Sequence, residues 1–272
     1  TKYDNPNRTL TDPYEGQQLG EIWGYVVDGY FKTDEEARNY KVDQSFVNQM
    51  INASALDNGL HAGDLKFVDL DGNNKIEQTT SANDRKDMKV IGNSLPRYNY
   101  NFGISADWYG IDFSVLFQGI GKQNWYPGAE TSMFWGPYSR PYASFIPSDF
   151  MSQVWSEENT NAYFPRPRGY VALGSNRELA VVNTKYLQNL AYCRLKNLSI
   201  GYTLPDKWLS KIGFEKIRVY FSGENLLTFT KLHSDYIDPE QASASNSWKT
   251  SKSDANIYPW AKTYSFGVDI TF

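Results

Sequence analysis

Residues 97–121 read RYNYNFGISADWYGIDFSVLFQGIG, and their alternation decides the fold. Tyr98, Tyr100, Phe102, Ile104, Ala106 and Trp108 fall on one side of an extended chain, and Asn99, Asn101, Gly103, Ser105 and Asp107 on the other, because successive strand residues point to opposite faces. After a short WYG turn the pattern resumes, with Ile111, Phe113, Val115 and Phe117 opposed to Asp112, Ser114 and Gln118. The segments are about ten residues long, which is what a tilted strand needs to cross a bilayer.

The same period recurs downstream. Leu198, Ile200 and Tyr202 alternate with Asn197, Ser199 and Gly201, and Ile217, Val219 and Phe221 with Arg218, Tyr220 and Ser222. The closing segment YSFGVDITF places Tyr264, Phe266, Val268, Ile270 and Phe272 on one face and ends on an aromatic residue. EIWGYVVDGYF (Glu21 to Phe31) alternates less cleanly and reads as a weaker strand. Between these segments the links alternate in length: long at 32–96, 122–190 and 230–259, short at 108–110 and 204–214. Transmembrane barrels have this asymmetry, with short periplasmic turns and long extracellular loops. The competing reading is a soluble all-β domain whose apolar faces meet in a shared core.

Composition agrees with a strand-built membrane protein without requiring one. Of the 272 residues, 40% are hydrophobic and 16% aromatic, so apolar surface is concentrated in large amphipathic rings that suit interfaces. Mean hydropathy is −0.58, and no apolar run is long enough for a membrane helix; barrel strands escape that test because only every second residue is apolar. A net charge of −4 leaves no basic stripe for a nucleic-acid partner. Cys193 is the single cysteine, so no intrachain disulfide can form. The sequence begins at Thr1 and reads as a piece of something longer.

Several motifs, in order, resemble the SusC-like family of TonB-dependent outer-membrane transporters: GDLKFVDLDGNNKI (Gly63 to Ile76), NDR (Asn83 to Arg85), IGNSLPRYNYNFG (Ile91 to Gly103), FQG (Phe117 to Gly119), YCRLKNLSIGYTLP (Tyr192 to Pro205), SGENLLTFT (Ser222 to Thr230) and the aromatic final strand. The resemblance implies an all-β fold in which residues 1–272 form the C-terminal portion of a large antiparallel transmembrane β-barrel, 22-stranded in this family, with extracellular loops at 32–96, 122–190 and 230–259. Five clear strands and one weaker one would cover about the last quarter of such a barrel. The implied function is TonB-dependent import of oligosaccharides or peptides across the outer membrane. The implied partners are a SusD-like surface lipoprotein, outer-membrane lipid and the TonB complex, the last reached through an N-terminal region that precedes this sequence. The resemblance also assigns the insertion signal to Phe272 and the alternate residues Tyr264, Phe266, Val268 and Ile270. The alternative function is that of a soluble, secreted glycan-binding β domain.

Two further features bear on sites. DLDGNNKIE has oxygen ligands at EF-hand-like spacing, with Asp69, Asp71, Asn73, the Lys75 carbonyl and Glu77 at positions 1, 3, 5, 7 and 9. Such a set suits structural Ca2+, or less comfortably Mg2+. Asn74 replaces the usual glycine and Thr80 the usual final acid; an apparent TTSA insertion puts Asp84 four residues later than the family pattern. The bland alternative is an acidic turn held by side-chain-to-backbone hydrogen bonds. Between Trp125 and Phe164 the loop at 122–190 carries eleven aromatic residues, Tyr142 among them, set among Gly, Pro, Asn and Ser. Trp125, Tyr126, Trp135 and Tyr138 are candidates for stacking on substrate, while self-packing of the loop accounts for about two-thirds of the set. Catalysis finds no support: His61 and His233 lack metal-site spacing, and no nucleophile elbow, phosphate loop or dinucleotide fingerprint is present.

Overall fold

A computed structural model describes residues 4–48, 59–139, 145–174, 177–211, 213–242, 252–253 and 258–272. Its strands, in chain order, are β1 (Glu21–Tyr25), β2 (Val27–Tyr30), β3 (Leu65–Phe67), β4 (Met88–Asn93), β5 (Arg97–Trp108), β6 (Ile111–Lys122), β7 (Asn124–Pro127), β8 (Gln188–Asn189), β9 (Tyr192–Thr203), β10 (Lys216–Thr230), β11 (Lys252–Ser253) and β12 (Thr263–Thr271). The five long strands form one antiparallel sheet in the order β12-β10-β9-β6-β5, so each strand lies beside its neighbour in sequence.

The register explains why this sheet forms from these residues. Ala106, Phe113, Ile200, Phe221 and Phe266 stand side by side across all five strands, as do Ile104, Val115, Leu198, Gly223 and Tyr264. Near the other end the register shifts between Leu116 and Phe117, so that Leu195 rather than Lys196 faces Phe117. That extra residue on β9 changes its phase and turns Arg194 toward Gln118 and Thr228, on the polar face. The β5–β6 turn is tight because Tyr109 and Gly110 both take positive φ, at 47° and 84°, the geometry whose twist matches a hairpin.

The apolar face of the sheet is bare. Phe266 is 82% exposed and Ile104 62%, and Phe102, Trp108, Ile200, Phe229, Val268 and Phe272 are exposed with them. The soluble alternative needs these side chains on a shared core, and no described residue covers them. On the polar face, Arg218 reaches across β9 to Asp112 with Nε at 2.8 Å and Nη2 at 2.6 Å, and its Nη1 meets Asp269 of β12 at 3.2 Å. Gly201 makes this span possible, since a Cβ there would lie 2.4 Å from Asp112 Oδ1. In the same way Gly267 leaves room for the Tyr220 ring, 2.3 Å from where its Cβ would be.

The links 109–110 and 204–215 lie at one end of the sheet, and 123–191 and 231–262 lie at the other, where β5 also begins. The weaker strand expected at Glu21 to Phe31 is not part of the wall. It splits into β1 and β2, which pair with β4 and β3 in two small separate sheets. The hydrophobic core sits with them in the long links: Tyr25, Phe67, Ile76, Trp125, Phe134, Trp135, Phe164 and Tyr186 are all buried in one cluster. Among the described residues the sheet is thus a wall without a core of its own, and the links at one end form a body with one.

Candidate functional site

That body is knitted from distant segments. Tyr25 N–H donates to the Val182 carbonyl (2.9 Å), Thr184 N–H to the Tyr25 carbonyl (3.0 Å) and Val27 N–H to Thr184 Oγ1 (3.0 Å). Within it, Phe164 stacks on Phe150 at 4.7 Å between ring centroids, Phe134 meets Trp135 edge-on at 4.8 Å, and Trp135 meets Tyr186 at 5.2 Å. Three of the buried rings use their polar edges internally. Trp135 Nε1 donates to the Gly128 carbonyl (2.9 Å), Tyr126 Oη to the Leu179 carbonyl (2.8 Å), and Tyr138 Oη to the Pro165 carbonyl. Asn183 Nδ2 donates to Tyr126 Oη at 2.8 Å, and His233 lies flat on Tyr163 at 3.5 Å.

The four aromatic candidates for substrate contact lie inside this packing. Trp125, Tyr126, Trp135 and Tyr138 are fully buried and offer a ligand no face in this conformation. An aromatic in a Gly- and Asn-rich link looks the same in sequence whether it packs or recognises. Tyr142 lies outside the described residues. Open aromatic surface at this end is instead found at Trp260, 53% exposed, which walls a cavity of about 340 Å3 with Arg194, Thr228, Asp235, Asp238 and Lys262. Arg194 forms part of its lining, donating to Thr228 Oγ1 (2.9 Å), Glu240 (2.7 Å) and Asp238 (2.7 Å).

The acidic loop folds as a turn with three converging carboxylates. Asp69 accepts from Gly72 and Asn74 N–H, both at 2.7 Å, and Asp71 from Asn73 N–H at 3.0 Å. The third carboxylate is Asp87, not Asp84: one ligand atom from each of Asp69, Asp71 and Asp87 lies within 4.8 Å of the others, whereas Asp84 is exposed and its carbonyl receives the Thr79 hydroxyl. Asn73 turns its amide to Asp71 and Glu77, while Glu77 is drawn to Lys86 (3.5 Å). Lys75 N–H donates to Asn73 Oδ1, a bond internal to the turn. Asp87 is buried and accepts from Leu70 and Glu77 N–H, at 2.8 and 2.7 Å. Burial, with Asp71 and Asp69 adding their charge, holds its carboxyl above the usual carboxylate range even against those two donors. A divalent cation would relieve that crowding, so the three carboxylates fit one, with Asp87 in the place Asp84 was expected to take.

No family model matches the chain. Among curated proteins it is 29% identical over 95% of its length to TonB-dependent receptor P3 of Formosa agariphila, and 26% identical over 95% to TonB-dependent receptor P39 of the same organism. The chain spans 22% and 25% of these relatives, about a quarter of their length. Among solved structures it is similar to the RagAB peptide importer in its open-open state, with a TM-score of 0.55 and 19% identity over 96% of this chain and 25% of that one. The closed-closed state matches as well, at 0.55 and 19% over 99% and 25%. These relatives are receptors and an importer rather than enzymes, and the sheet described above is a portion of such a barrel wall.

Proposed function

We propose, from the premise that this chain is a stretch of a SusC-like TonB-dependent receptor, that it serves active import of oligosaccharides or peptides across the outer membrane. The observation that carries the reading is the apolar face left bare along five antiparallel strands, with every long link gathered at one end. Lipid is the environment that covers such a face. In this reading Tyr264, Phe266, Val268 and Ile270 of β12, with Phe272 just beyond it, carry the insertion signal. The long links project outside the cell, where they meet substrate and a SusD-like lipoprotein. TonB acts through the N-terminal part of the transporter.

Substrate contact belongs to the open cavity beside Trp260 rather than to the buried rings: an exposed indole bordered by Lys262 and Asp235 offers a stacking face beside charged groups. The acidic loop is proposed to hold a structural Ca2+ on Asp69, Asp71 and Asp87. The intact transporter should require detergent to stay monodisperse, and uptake of labelled glycan or peptide should stop when TonB is deleted; a protein that remains monodisperse in plain buffer refutes the barrel. Trp260→Ala should weaken substrate binding while leaving the body intact. Calorimetric Ca2+ titration of the wild type against Asp69→Ala/Asp71→Ala tests the ion, and identical heats would remove it.

A further inference from the structure

Asp64 and Glu178 are both fully buried in the outer body, yet only one has a counter-charge of its own. Asp64 accepts from Arg168 Nε at 3.0 Å, from a second nitrogen of the same guanidinium, and from the His61 backbone N–H at 2.8 Å. Glu178 receives one long bond, 3.4 Å from the Leu65 N–H to Oε2, and its Oε1 has no hydrogen-bond partner among the described residues. The groups around it come from every packed element. Asp64 stands just before β3, Arg166 and Arg168 lie in the link between β7 and β8, and the hydroxyls of Tyr30, Tyr126, Tyr138 and Tyr186 converge from β2, β7 and the same link. An ionised Glu178 would be a buried charge, short of donors and facing Asp64; a carboxylic acid needs no counter-charge and keeps its proton on the oxygen that lacks a partner.

The joint that Glu178 occupies holds the first long link to the second. Arg166 N–H donates to the Gly63 carbonyl (3.0 Å) and Gly63 N–H to the Phe31 carbonyl (2.8 Å), while Leu65 starts the strand whose N–H meets Glu178. We propose that Glu178 is a proton-operated latch between the two links, closing the outer body in its protonated form and loosening it when it ionises. Burial, and then the Asp64 charge, raise its carboxyl to about 8 despite Arg168, Arg166 and the Leu65 N–H. The sign follows. An opened body exposes a carboxyl of ordinary pKa, roughly 4.3, so between that value and about 8 the closed state holds a proton the open state lacks. The latch is tightest in acid, weakens as pH rises through that window, and changes no further above it.

The test is amide exchange of the full-length transporter in detergent, followed in peptides covering 60–67 and 164–186 and corrected for intrinsic exchange. Between pH 5.5 and 7.5 the wild type should open on the order of 100-fold more, close to tenfold per pH unit, with no such slope in β12. Glu178→Gln keeps the shape but cannot ionise, and its profile over the same window should be flat. A flat wild-type profile overturns the latch, as does a Glu178→Gln slope equal to that of the wild type. If the variant fails to fold, the wild-type profile alone decides.

Discussion

Replacing Trp135 with Ala separates packing from recognition. The indole is fully buried against Phe134, Phe164 and Tyr186, and its N–H is used on Gly128. Truncating a buried Trp costs about 3–5 kcal/mol, which is roughly a 150- to 5,000-fold rise in opening if the body opens as one unit. Because the cluster belongs to the links and not to the sheet, this loss should stay local. Amides in 124–138 and 177–190 should lose protection by that factor, while β6, β9 and β10 keep theirs and the barrel retains its heat-dependent mobility on SDS gels. Hydrogen exchange of the intact protein in detergent reads both at once. If protection in the body changes less than about threefold while substrate affinity falls, Trp135 is a ligand contact and the reasoning from burial is wrong.

Three other outcomes follow from the wall. Phe266→Arg, on the bare face, should destabilise folding into vesicles by about 2–4 kcal/mol if it lies near mid-membrane, whereas Ser265→Arg on the other face should do much less; urea titration of both distinguishes the faces. Gly267→Val forces a Cβ into the Tyr220 ring and should cost about 1–3 kcal/mol, recovered in good part by Tyr220→Ala in the same chain, as a double-mutant cycle would show. Arg218→Ala unties Asp112 and Asp269, so β12 amides should exchange faster while those of β5 do not; equal effects on both strands would mean the arginine does not tie the last strand to the wall.

The five wall strands were legible in the sequence because a strand with one apolar and one polar face imposes period 2, and lengths of about ten residues come with it. The turn at Tyr109–Gly110 was legible for the same local reason. The body of packed links was not, since its partners are far apart: Tyr30 meets Tyr186, and Asp64 meets Arg168 across 104 residues of chain. No period relates such positions, so neither the burial of Trp125 and Trp135 nor the isolation of Glu178 could be read from composition. The acidic loop falls between the two cases. Its first carboxylates lie at a recognisable spacing, while Asp87 enters after an insertion, and counting along the chain chose Asp84 instead.

The outer body's shared core has a consequence for how such proteins can be recombined. Its core draws on residues 21–48, 59–93, 124–190 and 231–242 together, so none of these links is an independent cassette. Grafting one of them onto a relative's barrel would expose half of an aromatic interface and orphan the hydrogen bonds that cross it. A chimera that exchanges the segments as a set leaves the wall untouched and keeps the interior closed, which makes the set, rather than the single link, the unit that can be exchanged.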